Sequence, residues 1–265
     1  MKRPIALTIA GSDSSGGAGI QADLKTFGAF GVYGATAITA VTAQNTVGVQ
    51  SVFAVPTKMV SQQIKSVFAD LDVAAIKIGM LANVAIIDTV ARGLSDAGDK
   101  PLVVDPVMVA TSGDVLLEPN AVLALRNQLF PRACVITPNL DEAAVLLEGR
   151  PARCENDMLD QARALLKLGS GAVLLKGGHL ESDDAIAADL LMSGAGYEWF
   201  RRPRVATRHT HGTGCTLAAA ITAGLAMGTD LKLAVQEAKD YLTRALISGK
   251  DLQIGSGAGP VDHLV

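Results

Sequence analysis

The strongest constraint on the fold is a repeated alternation of short apolar runs with longer amphipathic stretches. Ile5 to Ala10, Ala35 to Val41, Ala74 to Ile78, Leu102 to Asp105, Cys134 to Thr137 and Ala172 to Leu175 are brief, apolar and β-rich, as strands buried on both faces are. Between them, Ile20 to Gly31, Thr57 to Leu71, Val84 to Ala97, Pro119 to Gln128, Leu140 to Leu147 and Asp157 to Leu168 read as helices. In the second of these, Val60, Ile64, Val67, Phe68 and Leu71 share one helical face. Parallel strands need crossover connections of this kind, so the predicted class is α/β, with a mostly parallel sheet covered on both faces. From Ile186 to Val205 the rhythm breaks. Two strand-like runs flank Ser193-Gly194-Ala195-Gly196, which reads as a hairpin turn that adds antiparallel strands at one edge. Gly214 to Met227 and Leu231 to Ser248 follow as helices, and no linker, repeat or low-complexity tract interrupts the chain. Residues 1–265 are expected to form a single domain.

Composition narrows the function. A hydrophobic content of 49% with 18% charged residues supports a large core and argues against disorder. The net charge of −3 argues against a nucleic-acid binder, which carries a basic face. Anionic small molecules remain possible, because local amides and a few lysines can serve them. No apolar run reaches the ~18 residues of a membrane span. Met1-Lys2-Arg3-Pro4 leads straight into a strand pattern, without the apolar stretch and cleavage site of a signal peptide. Cys134, Cys154 and Cys215 are odd in number and lack CxxC spacing, which fits reduced thiols in the cytoplasm.

Ligands of an open parallel sheet bind beyond the carboxyl ends of its strands, and the unusual polar residues fall there. Gly11-Ser12-Asp13-Ser14-Ser15-Gly16-Gly17-Ala18-Gly19 follows the first strand and reads as a flexible turn or a binding loop. Asp105 ends another strand, where it can hold Mg²⁺ or cap the next turn. In Thr137-Pro138-Asn139-Leu140-Asp141-Glu142, Asn139 or Thr137 can cap a helix with Glu142 as the capping-box partner. Alternatively, Asn139 and Glu142 order Mg²⁺ and its waters from one helical face. Lys176-Gly177-Gly178 offers a lysine to a polyphosphate or to solvent. Thr210-His211-Gly212-Thr213-Gly214-Cys215-Thr216 sets two glycines at the mouth of an Ala-rich helix. Such an N-terminus carries unpaired amides and a positive dipole end, and glycine lets a phosphate approach the backbone. With the ionisable Cys215 beside these donors, the shared address of the groups points to phosphoryl transfer. His179, His209 and His211 do not match a common zinc spacing.

These stretches, with Gln21-Ala22-Asp23, Thr42-Ala43-Gln44-Asn45-Thr46, Lys77-Ile78-Gly79-Met80-Leu81, Asp105-Pro106-Val107-Met108, Lys176-Gly177-Gly178-His179 and Gly259-Pro260-Val261, run almost end to end. The chain so read resembles the ribokinase-like kinases, and within them the hydroxymethylpyrimidine and phosphomethylpyrimidine kinases of thiamine biosynthesis. The Asn139 to Glu142 spacing and the glycine turn are typical of the superfamily; the first loop, Gln44 and the cysteine are specific to this branch. The resemblance implies a three-layer α/β/α sandwich, ATP with Mg²⁺, and a homodimer. It implies transfer onto the alcohol of 4-amino-5-hydroxymethyl-2-methylpyrimidine and then onto the resulting monophosphate. By motif match, Asp23, Gln44, Met80 and Val107 would line the pyrimidine pocket, closed by the loop around Gly11 and Ala18. Asp105, Thr137, Asn139 and Glu142 would belong to the magnesium and phosphate region, and Lys176 would face the ATP phosphates.

The residue chemistry suits that assignment. The Gln44 amide can accept from an exocyclic amine and donate to the adjacent ring nitrogen, while Met80 and Val107 offer apolar contact. The amides of Gly212, Thr213, Gly214 and Cys215 would receive charge developing on the transferring phosphate. Most sugar kinases of this fold carry aspartate at the position of Cys215. A thiol at a helix N-terminus is expected to have a lowered pKa and can assist an alcohol as a base, or it can be a small thiol with no proton role. A neutral thiol also would not repel the anionic acceptor of the second transfer, as a fixed carboxylate would. A pyridoxal kinase of the same fold is the nearest alternative, and a non-catalytic nucleotide-binding protein a more distant one. A nicotinamide dehydrogenase is excluded because no GxGxxG opens the first helix.

Overall fold

The structure, a computed structural model, describes residues 3–110, 113–114, 116–118, 120–178, 180 and 185–265. In chain order the elements are β1 (Ile5–Asp13), α1 (Gly19–Ala29), β2 (Tyr33–Gln44), β3 (Val49–Ala54), α2 (Thr57–Asp70), β4 (Val73–Ile78), α3 (Val84–Gly93), β5 (Leu102–Val104), α4 (Ala121–Gln128), β6 (Val135–Ile136), α5 (Leu140–Leu146), α6 (Glu155–Leu166), β7 (Ala172–Lys176), β8 (Ile186–Ser193), β9 (Gly196–Pro203), α7 (Thr213–Ala226) and α8 (Leu231–Gly249). The strands form one nine-stranded sheet in the order β3-β2-β1-β4-β5-β6-β7-β8-β9. Pairing is parallel from β2 through β7. It is antiparallel where β3 joins β2 and where β8 and β9 extend β7.

Alternation along each strand builds two cores. In β7, Val173 and Leu175 face α2 to α6, while Leu174 faces the opposite layer with α7 and α8. Ala6 and Ala75 face that second layer too, where Phe27 of α1 meets Ala219 and Ala223 of α7. The sandwich is therefore α2–α6 on one face and α1, α7 and α8 on the other. Helix α7 is buried along most of its length, which is why it is apolar all round rather than amphipathic. Its alanines and Gly224, whose missing Cβ would lie 2.9 Å from Ala234 Cβ, let it sit close to α8.

The expected alternation forms, with four differences. First, β3 was not foreseen. Gln50, Ser51, Val52 and Phe53 are exposed, so burial leaves no pattern there; the strand exists because it pairs with β2. Second, β1 and β2 run past Ala10 and Val41. Residues expected in loops stay paired, with register slips between Ala10 and Ser12 and between Ala43 and Gln44. Such bulges re-aim side chains next to functional sites. Third, α3 ends at Gly93 and a 3₁₀ turn covers Leu94–Ala97, where one continuous helix was expected. Fourth, α4 starts at Ala121; Pro119, its expected first residue, lies outside the described residues. The carboxyl ends of β1, β2, β4, β5, β6 and β7 open on one edge of the sheet, as parallel pairing requires.

Candidate active site

The turn before α7 is built for an anion. Gly212 caps the helix at φ +80°, and a Cβ there would lie 1.9 Å from the Gly17 carbonyl oxygen. Only glycine therefore permits both the left-handed turn and the close approach of the first loop. Thr213 N donates to Thr210 O at 3.2 Å, and Thr216 N closes the first helical bond on Gly212 O at 2.8 Å. The Thr213 amide is thus already engaged, which narrows the expected donor set. The amides of Gly214 and Cys215 are left in the first turn without an intrahelical partner. Gly214 packs against two charged groups: a Cβ there would sit 3.2 Å from Lys176 Nζ and 3.6 Å from Asp105 Oδ2.

Those two groups belong to a buried cluster at the ends of β5, β6 and β7. Lys176 Nζ donates to Asp105 Oδ1 at 2.9 Å and lies 4.0 Å from Glu142 Oε2. Thr137 Oγ1 donates to the same Asp105 oxygen at 2.9 Å, so this hydroxyl faces the carboxylate. Asn139 is the N-cap of α5. Its side chain accepts from Glu142 N, and Glu142 Oε2 accepts from Asn139 N, both at 2.8 Å. The capping box anticipated from sequence is therefore complete, and the same bond fixes the Glu142 carboxylate. Burial works to raise the Asp105 carboxyl, yet Lys176 and Lys77 hold it below the usual range. Burial and the Asp105 charge push Glu142 up to about 7 against the pull of Lys176. Two carboxylates share one ammonium, and the closer ion pair with Lys176 belongs to Asp105, which leaves Glu142 the raised member.

Cys215 departs from expectation. Burial pushes its thiol up to about 11, although Lys77 and the Gly19 amide act in the opposite direction. The expected lowering is absent, because desolvation and the nearby Asp23 and Asp105 charges outweigh Lys77 and the Gly19 amide. At neutral pH the residue is a thiol.

The residues expected to hold a ring fall in an apolar cluster and a separate cavity lining. Met80 and partly buried Val107 pack together with Ala40 and Ala82. Gly11 lies against Met80, whose sulfur would be 2.9 Å from a Cβ at that position. Gln44 ends β2, its backbone pinned by Ser14 Oγ at 2.8 Å in both directions. Its side chain lines a cavity with Asn45, Thr46, Val47, His211, Gly257 and Ala258. Asp23 is not in that wall. It is fully buried, with both oxygens within 3.0 Å of Lys77 Nζ and one accepting from Thr8 Oγ1 at 2.6 Å. Asp23 is the counter-ion of Lys77, and Met80, Val107, Gly11 and Ala18 are likewise absent from that cavity's lining. Burial would discharge the Lys77 ammonium, but the Asp23 carboxylate more than compensates and raises its pKa.

Sequence reading missed three groups. Lys77 had a legible signal, a lysine inside a strand predicted to be buried on both faces. Asp13 and His211 had none, because their partnership spans the chain. Asp13 Oδ2 accepts from Gly17 N at 3.1 Å and Ala18 N at 2.8 Å, and lies 2.8 Å from His211 Nε2. The first loop is therefore wound around Asp13, with its Gly17 and Ala18 amides turned inward, and is clasped to the residue that precedes Gly212. Burial raises the Asp13 carboxyl, but the His211, Ser15 and Ala18 hydrogen bonds together hold it at about 2. His209 accepts from Gly259 N through Nδ1 at 3.0 Å. His179 lies outside the described residues.

Asp105 and Glu142 supply hard oxygen ligands on either side of Lys176, and no group of three or more metal-ligating side chains occurs among the described residues. Mg²⁺ is commonly held this way, by one or two carboxylates with substrate phosphates and water completing its shell, so the donor set fits it.

The family model described as phosphomethylpyrimidine kinase matches residues 13–262. The chain is similar to the hydroxymethylpyrimidine/phosphomethylpyrimidine kinase of Escherichia coli (strain K12), at 52% identity over 99% of this chain and 98% of that protein. Among solved structures it is similar to an ADP complex of Bacillus subtilis pyridoxal kinase, with a TM-score of 0.90 and 40% identity over 99% of this chain and 98% of that one. It is also similar to phosphomethylpyrimidine kinase from Clostridium difficile 630, with a TM-score of 0.81 and 43% identity over 92% of this chain and all of that one.

Proposed function

The chain belongs to the phosphomethylpyrimidine kinase family, and from that premise we propose that it phosphorylates 4-amino-5-hydroxymethyl-2-methylpyrimidine to its monophosphate and then to its diphosphate, with ATP as donor, in thiamine biosynthesis. It is a phosphotransferase of the ribokinase-like fold. The observation that carries the substrate assignment is the convergence of two half-sites. The backbone of Gly214 lies against Lys176 and Asp105, and His211, next to Gly212, shares a cavity with Gln44.

In this reading Gln44 pairs with the amine and ring nitrogen of the pyrimidine, and Met80 and Val107 contact its ring. Gly11, near the end of β1, and Ala18, in the loop before α1, border the pocket, while Asp23 holds Lys77. The Gly214 and Cys215 amides accept the charge that develops on the transferring group, and Lys176 neutralises more of it. Thr213 and Asn139 shape the nucleotide side, the first as the opening residue of α7 and the second through the α5 cap. Asp105 and Glu142 would hold Mg²⁺, with Thr137 orienting Asp105; the ion when bound neutralises phosphate charge. Cys215 presents a neutral thiol to the acceptor. A loose phosphoryl-transfer transition state makes small demands on a base, and the second acceptor is already anionic.

Mass spectrometry of products from ATP, Mg²⁺ and the hydroxymethylpyrimidine tests the reading: masses of both the monophosphate and the diphosphate are expected. The likeness to a pyridoxal kinase favours one alternative, transfer to the hydroxymethyl arm of pyridoxal. A monophosphate from pyridoxal, with no diphosphate from the pyrimidine, would select that reading.

We also propose a homodimer. The support is the exposed apolar surface of the β2–β3 edge, where Val47 and Phe53 are 64% and 66% exposed, since an open apolar edge strand favours pairing with another chain. Sedimentation equilibrium checks it. A cytoplasmic setting is supported by the three free cysteines. No described helix is long and apolar enough to cross a membrane.

A further inference from the structure

The segment from Gly257 to His263 passes beneath the turn that opens α7. His211 N donates to Gly259 O at 3.1 Å, and Asp262 N donates to Ala245 O of α8 at 3.1 Å. Tyr241 Oη, also on α8, donates to the His263 carbonyl at 2.8 Å. These bonds bring the His263 ring, which is buried, to 3.0 Å from Thr216 Oγ1. Thr216 is itself fully buried.

The protons in this chain can be placed by elimination. Gly212 O is a carbonyl and can only accept. It accepts from Thr216 Oγ1 at 2.8 Å and from Thr216 N at 2.8 Å. With the single hydroxyl proton of Thr216 assigned to Gly212 O, its oxygen accepts from His263. His263 thus carries its proton on Nε2. Burial, with the Lys25 ammonium adding to it and Asp262 opposing, holds the His263 pKa at about 4. The ring is neutral at working pH, with one N–H to give.

We propose that His263 and Thr216 are positioning residues for the anion turn: His263 Nε2–H donates to Thr216, Thr216 donates to Gly212 O, and the doubly bonded carbonyl fixes the peptide that aims the Gly214 and Cys215 amides. No side chain of the N-cap itself performs this task, because the N-cap is a glycine without one. Amides that must meet developing charge act best when held in place beforehand. Neither His263 nor Thr216 is assigned contact with either substrate, so their effect falls on turnover more than on pyrimidine binding.

The kinetic part of the test rests on the pyrimidine kinase reading. Wild type is compared with His263→Leu, His263→Gln, Thr216→Val, Thr216→Ser and the Leu/Val double variant. His263→Leu and Thr216→Val should each lower kcat about tenfold, the scale of one buried hydrogen bond, with the pyrimidine KM within about threefold of wild type. His263→Gln and Thr216→Ser, which keep a donor and a hydroxyl, should restore kcat to within about threefold. The double variant should be no slower than either single variant, because both break one chain. Additive losses, losses that follow melting temperature, or the absence of rescue by glutamine and serine would overturn the proposal. Backbone amide resonances of Gly214 and Cys215 give a readout independent of substrate. They should move in the Leu and Val variants and return in the Gln and Ser variants; unmoved resonances overturn the relay. A wild-type enzyme inactive on the pyrimidine overturns the functional reading alone, and the amide resonances still decide the relay.

Discussion

Gly212 and Gly214 stand two residues apart and should respond to alanine in opposite ways. Gly212 has a positive φ and meets the Gly17 carbonyl, so alanine there forces the backbone apart. At Gly214 the new methyl would instead press on Lys176 Nζ, 3.2 Å away and bonded to Asp105, so the ammonium rather than the backbone must shift. Gly214→Ala should therefore leave the melting temperature nearly unchanged, because the roughly 0.5–1 kcal/mol by which alanine favours a helix offsets the displaced ammonium. It should also lower kcat by about 100-fold or more, because the methyl occupies the place of the phosphate. Paired calorimetry and kinetics check this, and a parallel loss of both would show that the position is only structural. At Cys215 the thiol, pushed up to about 11, is uncharged in both transfers. Cys215→Asp should therefore slow monophosphate phosphorylation more than alcohol phosphorylation, by about tenfold in the ratio, through repulsion of the anionic acceptor. Rates of the two steps measured separately decide it, and equal losses would reject the idea.

Between elements, the Asp13–His211 clasp ties the end of β1 to the turn before α7. Its pH dependence has a definite sign. The native carboxyl sits at about 2, below its ordinary 3.8. Its contribution is therefore complete above 3.8 and fades as pH falls toward 2, and it amounts to up to about 2 kcal/mol. Urea unfolding of wild type and Asp13→Asn between pH 5 and 2 should show a stability gap that closes across that window. A gap that stays constant would mean the clasp does not depend on the carboxylate charge. The same clasp explains why the first loop looked ambiguous in sequence. Its glycines do permit a tight approach, but its Gly17 and Ala18 amides serve Asp13. Helix α5 shows the reverse case. Its capping box was legible in four residues, since Asn139 and Glu142 are neighbours by helical geometry alone.

At the scale of the whole molecule, the Lys77–Asp23 pair joins β4 to α1 beneath the site with no exposure at either side chain. Lys77→Met should cost roughly 3–5 kcal/mol, because it strands a buried carboxylate, while the added change Asp23→Leu should recover most of that loss. Chemical denaturation of the single and double variants measures both. Sequence alone determined the α/β class, a mostly parallel sheet covered on both faces and the edge on which chemistry gathers, because the alternation of short apolar runs and amphipathic helices admits few other folds. It also picked out Lys176, Asp105, Glu142 and the Gly214 turn, each marked by its position just past a strand or before a helix. Tertiary structure decided which of these groups meet and what state they adopt. The placement of Asp23 under Lys77, the undepressed thiol of Cys215, the inward winding of the first loop and the reach of His263 to Thr216 all depend on partners far away in sequence. Burial and electrostatic neighbours set these properties, and both are fixed only when the chain has closed on itself.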